Sequence, residues 1–162
     1  MGAIDVGIIG GTPVEANSGI NRTWICKDNP ANDDGIINKV TAKTAAGITN
    51  LIIGIFYNTG GTNFSTRSYK SVGSINGTVT FDVNLDIKAG DYIGFSNEDG
   101  SLGIALTGYS GTWRDTSGTL YIPCTDHTFV SNSSSYGIYL YGTGKTLSVG
   151  SPVPRLIAAG IL

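Results

Sequence analysis

Hydrophobic and polar positions alternate along most of the chain. No long segment repeats its apolar residues at the i, i+3, i+4, i+7 spacing of an amphipathic helix. "TVTFDVNLDI" has strict period two, with Val79, Phe81, Val83, Leu85 and Ile87 on one side and Thr78, Thr80, Asp82, Asn84 and Asp86 on the other. Successive side chains of a strand point to opposite faces, so this segment reads as a half-buried strand. "TNLIIGIFYN" is almost continuously apolar, as expected of a central strand covered on both faces. In "GIINKVTAKTA" the alternation places Ile37, Lys39, Thr41 and Lys43 on one side, with Ile36, Val40 and Ala42 forming a partial opposite face. Further strands are predicted at "TWICKD", "DYIGFSN", "LGIALTGY", "GTLYIP", "HTFVSN" and "YGIYLYGTG".

Between these segments stand turn signals. "NPANDDG" combines Pro, Asn, Asp and Gly, and "KAG" offers Gly90 for a positive φ. Asp91, opening the next strand, is predicted to accept hydrogen bonds from backbone N–H groups of that turn and to lock the corner. Asn97-Glu98-Asp99-Gly100 is predicted as a hairpin connection, since Asp-Gly favours tight turns. About ten strands with no helix between them predict an all-β fold, an antiparallel β-sandwich. Long connections and the lack of an internal repeat favour a jelly roll over a propeller.

The pattern stops at the C-terminal "SPVPRLIAAGIL", so a single domain over residues 1–150 and a tail over 151–162 are expected. Pro152 and Pro154 interrupt any strand there. Leu156, Ile157, Ile161 and Leu162 then need cover, from their own domain or from a neighbouring subunit, which makes them the candidate assembly residues of a homo-oligomer.

Composition narrows the picture further. A chain of 162 residues with 24 glycines and only 14% charged residues suits many short strands joined by tight turns. A net charge of −2 without Lys/Arg runs argues against nucleic acid or anionic lipid as partner. No segment approaches the ~20 apolar residues of a membrane-spanning helix. The start "MGAIDVGIIGG" lacks a signal peptide's positive and apolar regions, and Val6 stands where a myristoylation site needs Ser or Thr. Cys26 and Cys124 are far apart in sequence and leave open either a disulfide between neighbouring strands or two small part-buried thiols.

Taken in order, "NPANDDGIINKV", "FSTRSY", "DIKAGDYIGF", "IPCTDHTF" and "IYLYGTG" resemble a jelly-roll module that recurs, largely uncharacterised, in tailed-phage and environmental bacterial sequences. The likeness spans roughly residues 22 to 144 and stops before the tail. It implies a non-catalytic part of a virion, such as a capsid-decorating or tail/fibre module, or of an extracellular surface assembly. No set of functional residues comes with it.

Candidate chemistry is sparse. Asp33, Asp34, Glu98 and Asp99 cluster oxygen ligands but lack EF-hand spacing, so they read as turns and no metal or other cofactor is expected. His127 is the only histidine and hence the only candidate base of a Ser-His-Asp arrangement, yet no nucleophile elbow accompanies it; a solvent-exposed strand histidine is expected. Paired carboxylates for glycoside hydrolysis cannot be singled out among so many acidic turns. The sharpest binding hypothesis is a glycan site at Tyr109, Trp113, Arg114 and Asp115, with an aromatic platform beside a charged fork. Its competitor is a Trp113 that caps the core. The expectation is therefore a structural or adhesive protein rather than an enzyme, with a carbohydrate-binding module as the alternative.

Overall fold

A computed structural model describes residues 2–8, 22–132 and 135–147. Leu156, Ile157, Ile161 and Leu162 lie outside the described residues. Within them the chain forms thirteen strands and no helix: β1 (Ala3–Ile8), β2 (Arg22–Cys26), β3 (Gly35–Gly60), β4 (Asn63–Ile75), β5 (Thr78–Ile87), β6 (Tyr92–Asn97), β7 (Asp99–Leu102), β8 (Ile104–Ala105), β9 (Thr112–Arg114), β10 (His127–Thr128), β11 (Val130–Asn132), β12 (Gly137–Ile138) and β13 (Leu140–Thr146). Eleven belong to one antiparallel sheet, while β8 and β12 form a second, two-stranded one. The all-β antiparallel expectation holds. The strands beyond the ten or so expected are two- to four-residue pieces such as β8, β10 and β12, too short for an alternating pattern to show.

The 26-residue β3 is the spine. Its first part pairs with β13 and β5, and residues 52–56 pair with both β4 and β6. The apolar run over 51–56 follows from this: Leu51, Ile53 and Ile55 enter one buried cluster, whereas Phe56 enters a second, with Ile52 packed on it. Both faces of the strand are covered, as the continuous hydrophobicity predicts. In β5 the strict alternation is kept, with Val83, Leu85 and Ile87 buried between exposed Asp82, Asn84 and Asp86.

Two expectations along β3 need correction. Ile37 is buried together with Val40 and Ala42 rather than facing out with Lys39. The β3–β5 register slips between Ile37 and Lys39, opposite a second slip in β13 between Thr143 and Gly144. A β-bulge inserts one residue and reverses which parity faces the core. The second correction concerns 97–100. β6 and β7 do not pair with each other; both pair with β3, end to end, so the segment is a bend in one run of chain along β3 rather than a hairpin. Gly100 takes φ +81° there, and the buried Asn97 amide donates to the Asp99 and Gly100 carbonyls at 3.0 and 2.9 Å. A third departure is "GTLYIP", which is irregular and carries the cis Ile122–Pro123 peptide.

The corner at 88–91 matches its prediction. Gly90 has φ +88°, and the Lys88 N–H donates to Asp91 Oδ2 at 2.9 Å. Asp91 is also gripped by Arg67, through Nε to Oδ2 and through Nη2 to Oδ1 at 3.1 Å. At the opposite edge, β1 is shielded by side chains of the 28–34 turn. Asn32 accepts from Asp5 N at 3.0 Å and donates to Ala3 O at 3.1 Å, while Asn29 donates to Gly7 O at 3.0 Å. Amide side chains thus satisfy backbone groups that would otherwise template another strand.

Candidate functional site

The strongest polar constellation grows from β9. In a strand, neighbours point oppositely, and Trp113 and Arg114 do so. Trp113 packs on the second cluster, 4.7 Å from Phe64 and 4.9 Å from Tyr92 between ring centroids. Arg114 instead holds its guanidinium 5.6 Å over Trp24, a member of the larger cluster. Its Nε, like Trp24 Nε1, is buried without a hydrogen-bond partner among the described residues. The predicted fork is therefore not beside the predicted platform. Lys27 also places its ammonium 5.1 Å over the Trp113 ring, tethered by a 2.6 Å hydrogen bond to Ser131 Oγ. Trp113 is a wall of the second core. Tyr109 stands apart, its ring against Gly137 and its N–H bonded to Ser135 O at 3.2 Å.

Asp115 is the residue that acquires chemistry. It is 5% exposed, and its N–H donates to Thr23 O at 2.9 Å, which ties the turn after β9 to β2. Oδ1 accepts from the Ser117 N–H at 2.8 Å and from the Ser117 hydroxyl. Oδ2 meets His127 Nε2 at 2.7 Å. Burial opposes ionisation of this carboxyl, but the donors from Ser117 and His127 outweigh it and hold Asp115 below the usual carboxylate range.

His127 is correspondingly not the open strand histidine expected. Its side chain is 24% exposed, stacked on Tyr121 at 3.8 Å and edge-on to Phe129 at 5.0 Å. The pairing spans an irregular segment between β9 and β10, which no periodicity could reveal. A Ser, a His and an Asp do meet here, but in the wrong order for acyl transfer. The Ser117 hydroxyl binds the carboxylate rather than the imidazole, so no base is positioned to take its proton. The arrangement locks the 115–128 segment over the sheet.

That segment covers a shallow place in the sheet. Gly54 and Gly94 face each other across β3 and β6, and the Phe56 ring lies over them, with Ile122 above. Ile25, Phe64 and Phe129 complete the second cluster. The edge-to-face contacts of Phe129 with Phe56 and Phe64, at 6.2 and 5.9 Å, add about 0.5–1.5 kcal/mol each beyond area burial.

The cysteines separate with the clusters. Cys26 belongs to the larger one and Cys124 packs on the second, and both are free thiols. Burial, reinforced by the Asp28 charge, pushes the Cys26 thiol up to about 12. The acidic turns are closed inward. Asp33 accepts from Asp34 N, Asp34 from Ala89 N, and Asp99 from Gly100 N, each at 2.8 Å, while Glu98 accepts from the Asn50 amide at 2.5 Å. Among the described residues no group of three or more His, Cys, Asp or Glu is disposed to hold a metal ion.

No protein-family model matches the chain, and no curated protein matches it.

Proposed function

We propose that the chain is a non-catalytic jelly-roll β-sandwich serving as a structural or adhesive component of a virion or extracellular surface assembly, in contact with copies of itself or with other components. One observation carries the reading. Ten of the eleven acidic side chains among the described residues accept a hydrogen bond from the protein itself, from turn N–H groups, amides, hydroxyls, a lysine, an arginine or the histidine. Catalytic carboxylates and bases are left poised toward a substrate; these are bonded in turns, in loop closure and in cross-strand pairs. Rigid loops on an antiparallel framework suit a part whose task is to keep its shape.

Assembly is the testable half. The tail residues Leu156, Ile157, Ile161 and Leu162 are the proposed contacts, each gaining ~1.5–3 kcal/mol if fully buried. Native mass measurement of the full chain should give a defined homo-oligomer, and a chain ending at Gly150 should lose it while keeping its β-type circular dichroism. A full-length monomer at high concentration, or a truncated chain with unchanged mass, would sink this part of the reading.

A further inference from the structure

The eleventh acidic side chain is Asp86. Its carboxylate has no hydrogen bond or ion pair among the described residues, although its backbone carbonyl accepts from Ser68 Oγ at 2.7 Å. Asp86 lines a cleft of about 410 Å³ together with Asp34, Gly35, Arg67, Ile87, Lys88 and Leu147. That volume lies in the range of small-molecule sites, roughly 300–1,000 Å³.

We propose that this cleft binds a neutral sugar. Ile87 is buried at the end of β5, and Asp86 before it and Lys88, the first residue of the turn after it, both line the cleft. Among the described residues neither has a side-chain partner, so one brings an acceptor pair and the other an ammonium donor. The third polar group is fixed in advance. Arg67 is gripped by the buried Asp91 through Nε and Nη2 and lies 4.5 Å over the Tyr57 ring, which sets the plane of its guanidinium. Asp34 is steadied by the Ala89 N–H on Oδ1, leaving Oδ2 as a second acceptor.

The charges select the ligand. Asp34 and Asp86 disfavour an anion, while Lys88 offsets part of their pull on a cation, the Arg67 charge being already matched by Asp91. A neutral molecule whose hydroxyls both donate and accept satisfies all four groups, and the exposed Leu147 at the rim offers an apolar contact for a ring's C–H face. The site shares no lining residue with the Trp113 region, and its test reads sugar binding rather than assembly mass.

Saturation-transfer NMR on the full chain with glucose, galactose, mannose and N-acetylglucosamine tests it. At least one sugar should show saturable transfer. Asp86→Ala and Lys88→Ala should each weaken that binding about tenfold or more, as expected for lost hydrogen bonds to charged groups. Because neither side chain holds the fold, their melting temperatures and assembly mass should stay at the parent values. No transfer from any of the four sugars overturns the proposal. So does binding that survives the Asp86→Ala/Lys88→Ala double variant, or binding lost in Trp113→Ala but kept in Asp86→Ala. Sulfate bound more tightly than any sugar, with loss only in Lys88→Ala, would make the cleft an anion site and also overturn it.

Discussion

Arg67 reaches Asp91 as the extra residue of a β-bulge. The β3–β4 register passes from Ile55↔Ser68 to Phe56↔Thr66 and leaves Arg67 without an opposite partner. Bulges re-aim side chains, and this one turns a long cation toward a carboxylate 24 residues away that is only 3% exposed. The same carboxylate closes the Lys88 turn, while the Ala31 N–H donates to the Asp91 carbonyl at 2.8 Å. One residue thus joins β4, the 28–34 turn and the β5–β6 corner.

Asp91→Ala should therefore cost about 3 kcal/mol, the scale for removing one member of a buried, hydrogen-bonded charge pair and stranding the other. Asp91→Asn, which retains an acceptor for the Lys88 N–H, should cost visibly less. Urea denaturation of the three proteins checks both statements. An Asp91→Ala midpoint equal to that of the parent would mean that the corner holds without its carboxylate.

Acid stability should depend on Asp115. Its folded pKa lies below the ordinary carboxylate value, so between the two the unfolded chain binds more protons and stability rises with pH. The contribution is complete above the unfolded value of about 3.9 and is lost as pH falls through the lower folded one. Asp82, beside Lys39, and Asp126, bonded by the Thr59 hydroxyl and the Asn63 amide, are shifted the same way; both are fully exposed, and salt screens the Lys39 charge while leaving the neutral donors of Asp126 in place. In high salt, Asp115→Asn should flatten the acid limb of stability against pH. An unchanged limb in that variant would assign acid sensitivity elsewhere.

How far the sequence speaks can be judged from particular residues. The period-two pattern of β5, the two-sided burial of β3 near Ile53 and the Asp91 corner were all readable, because each depends on local spacing or on a turn a few residues long. The bulge near Asn38 was not, since the slip is set by partners in β5 and β13. Nor was the bend at Asp99, where the Asp-Gly turn signal is real but the next strand rejoins β3 instead of folding back on β6. The His127–Asp115 contact crosses an irregular segment without periodicity. Adjacency misled at β9: Trp113, Arg114 and Asp115 are consecutive, and consecutive strand residues divide between faces.

Thiol chemistry should separate the two cysteines. Cys26 is buried, and its thiol is pushed up to about 12, so almost no thiolate exists near neutrality. Cys124 is half-buried and also shifted upward, mainly by burial, with its sulfur 3.6 Å from Thr66 Oγ1 and from Phe64 O. Native protein treated with a thiol-reactive chromophore should label one site slowly, at Cys124, and the second only after denaturant is added. Peptide mapping identifies them. Rapid labelling of Cys26 in the native state would contradict its burial.

The facing glycines Gly54 and Gly94 yield the sharpest steric prediction. Neither needs glycine for its backbone angles, so any effect of alanine comes from space alone. A Cβ on Gly94 would stand 2.3 Å from Trp24 O and 2.8 Å from the Phe56 ring. The first contact is with backbone in the paired β2 strand and can be relieved only by moving that strand. A Cβ on Gly54 would meet only side chains, at 2.9 Å from Phe56 and 3.3 Å from Ile122. Those can shift, although Phe56 is fully buried and the 115–128 segment lies over it. Overpacking of this kind costs typically 1–3 kcal/mol and more where backbone must yield. Gly94→Ala should therefore be the more destabilising of the two by chemical denaturation, and trimming the ring with Phe56→Leu should rescue Gly54→Ala better than Gly94→Ala. Equal destabilisation and equal rescue would mean that the ring, not the β2 backbone, sets the limit at both positions.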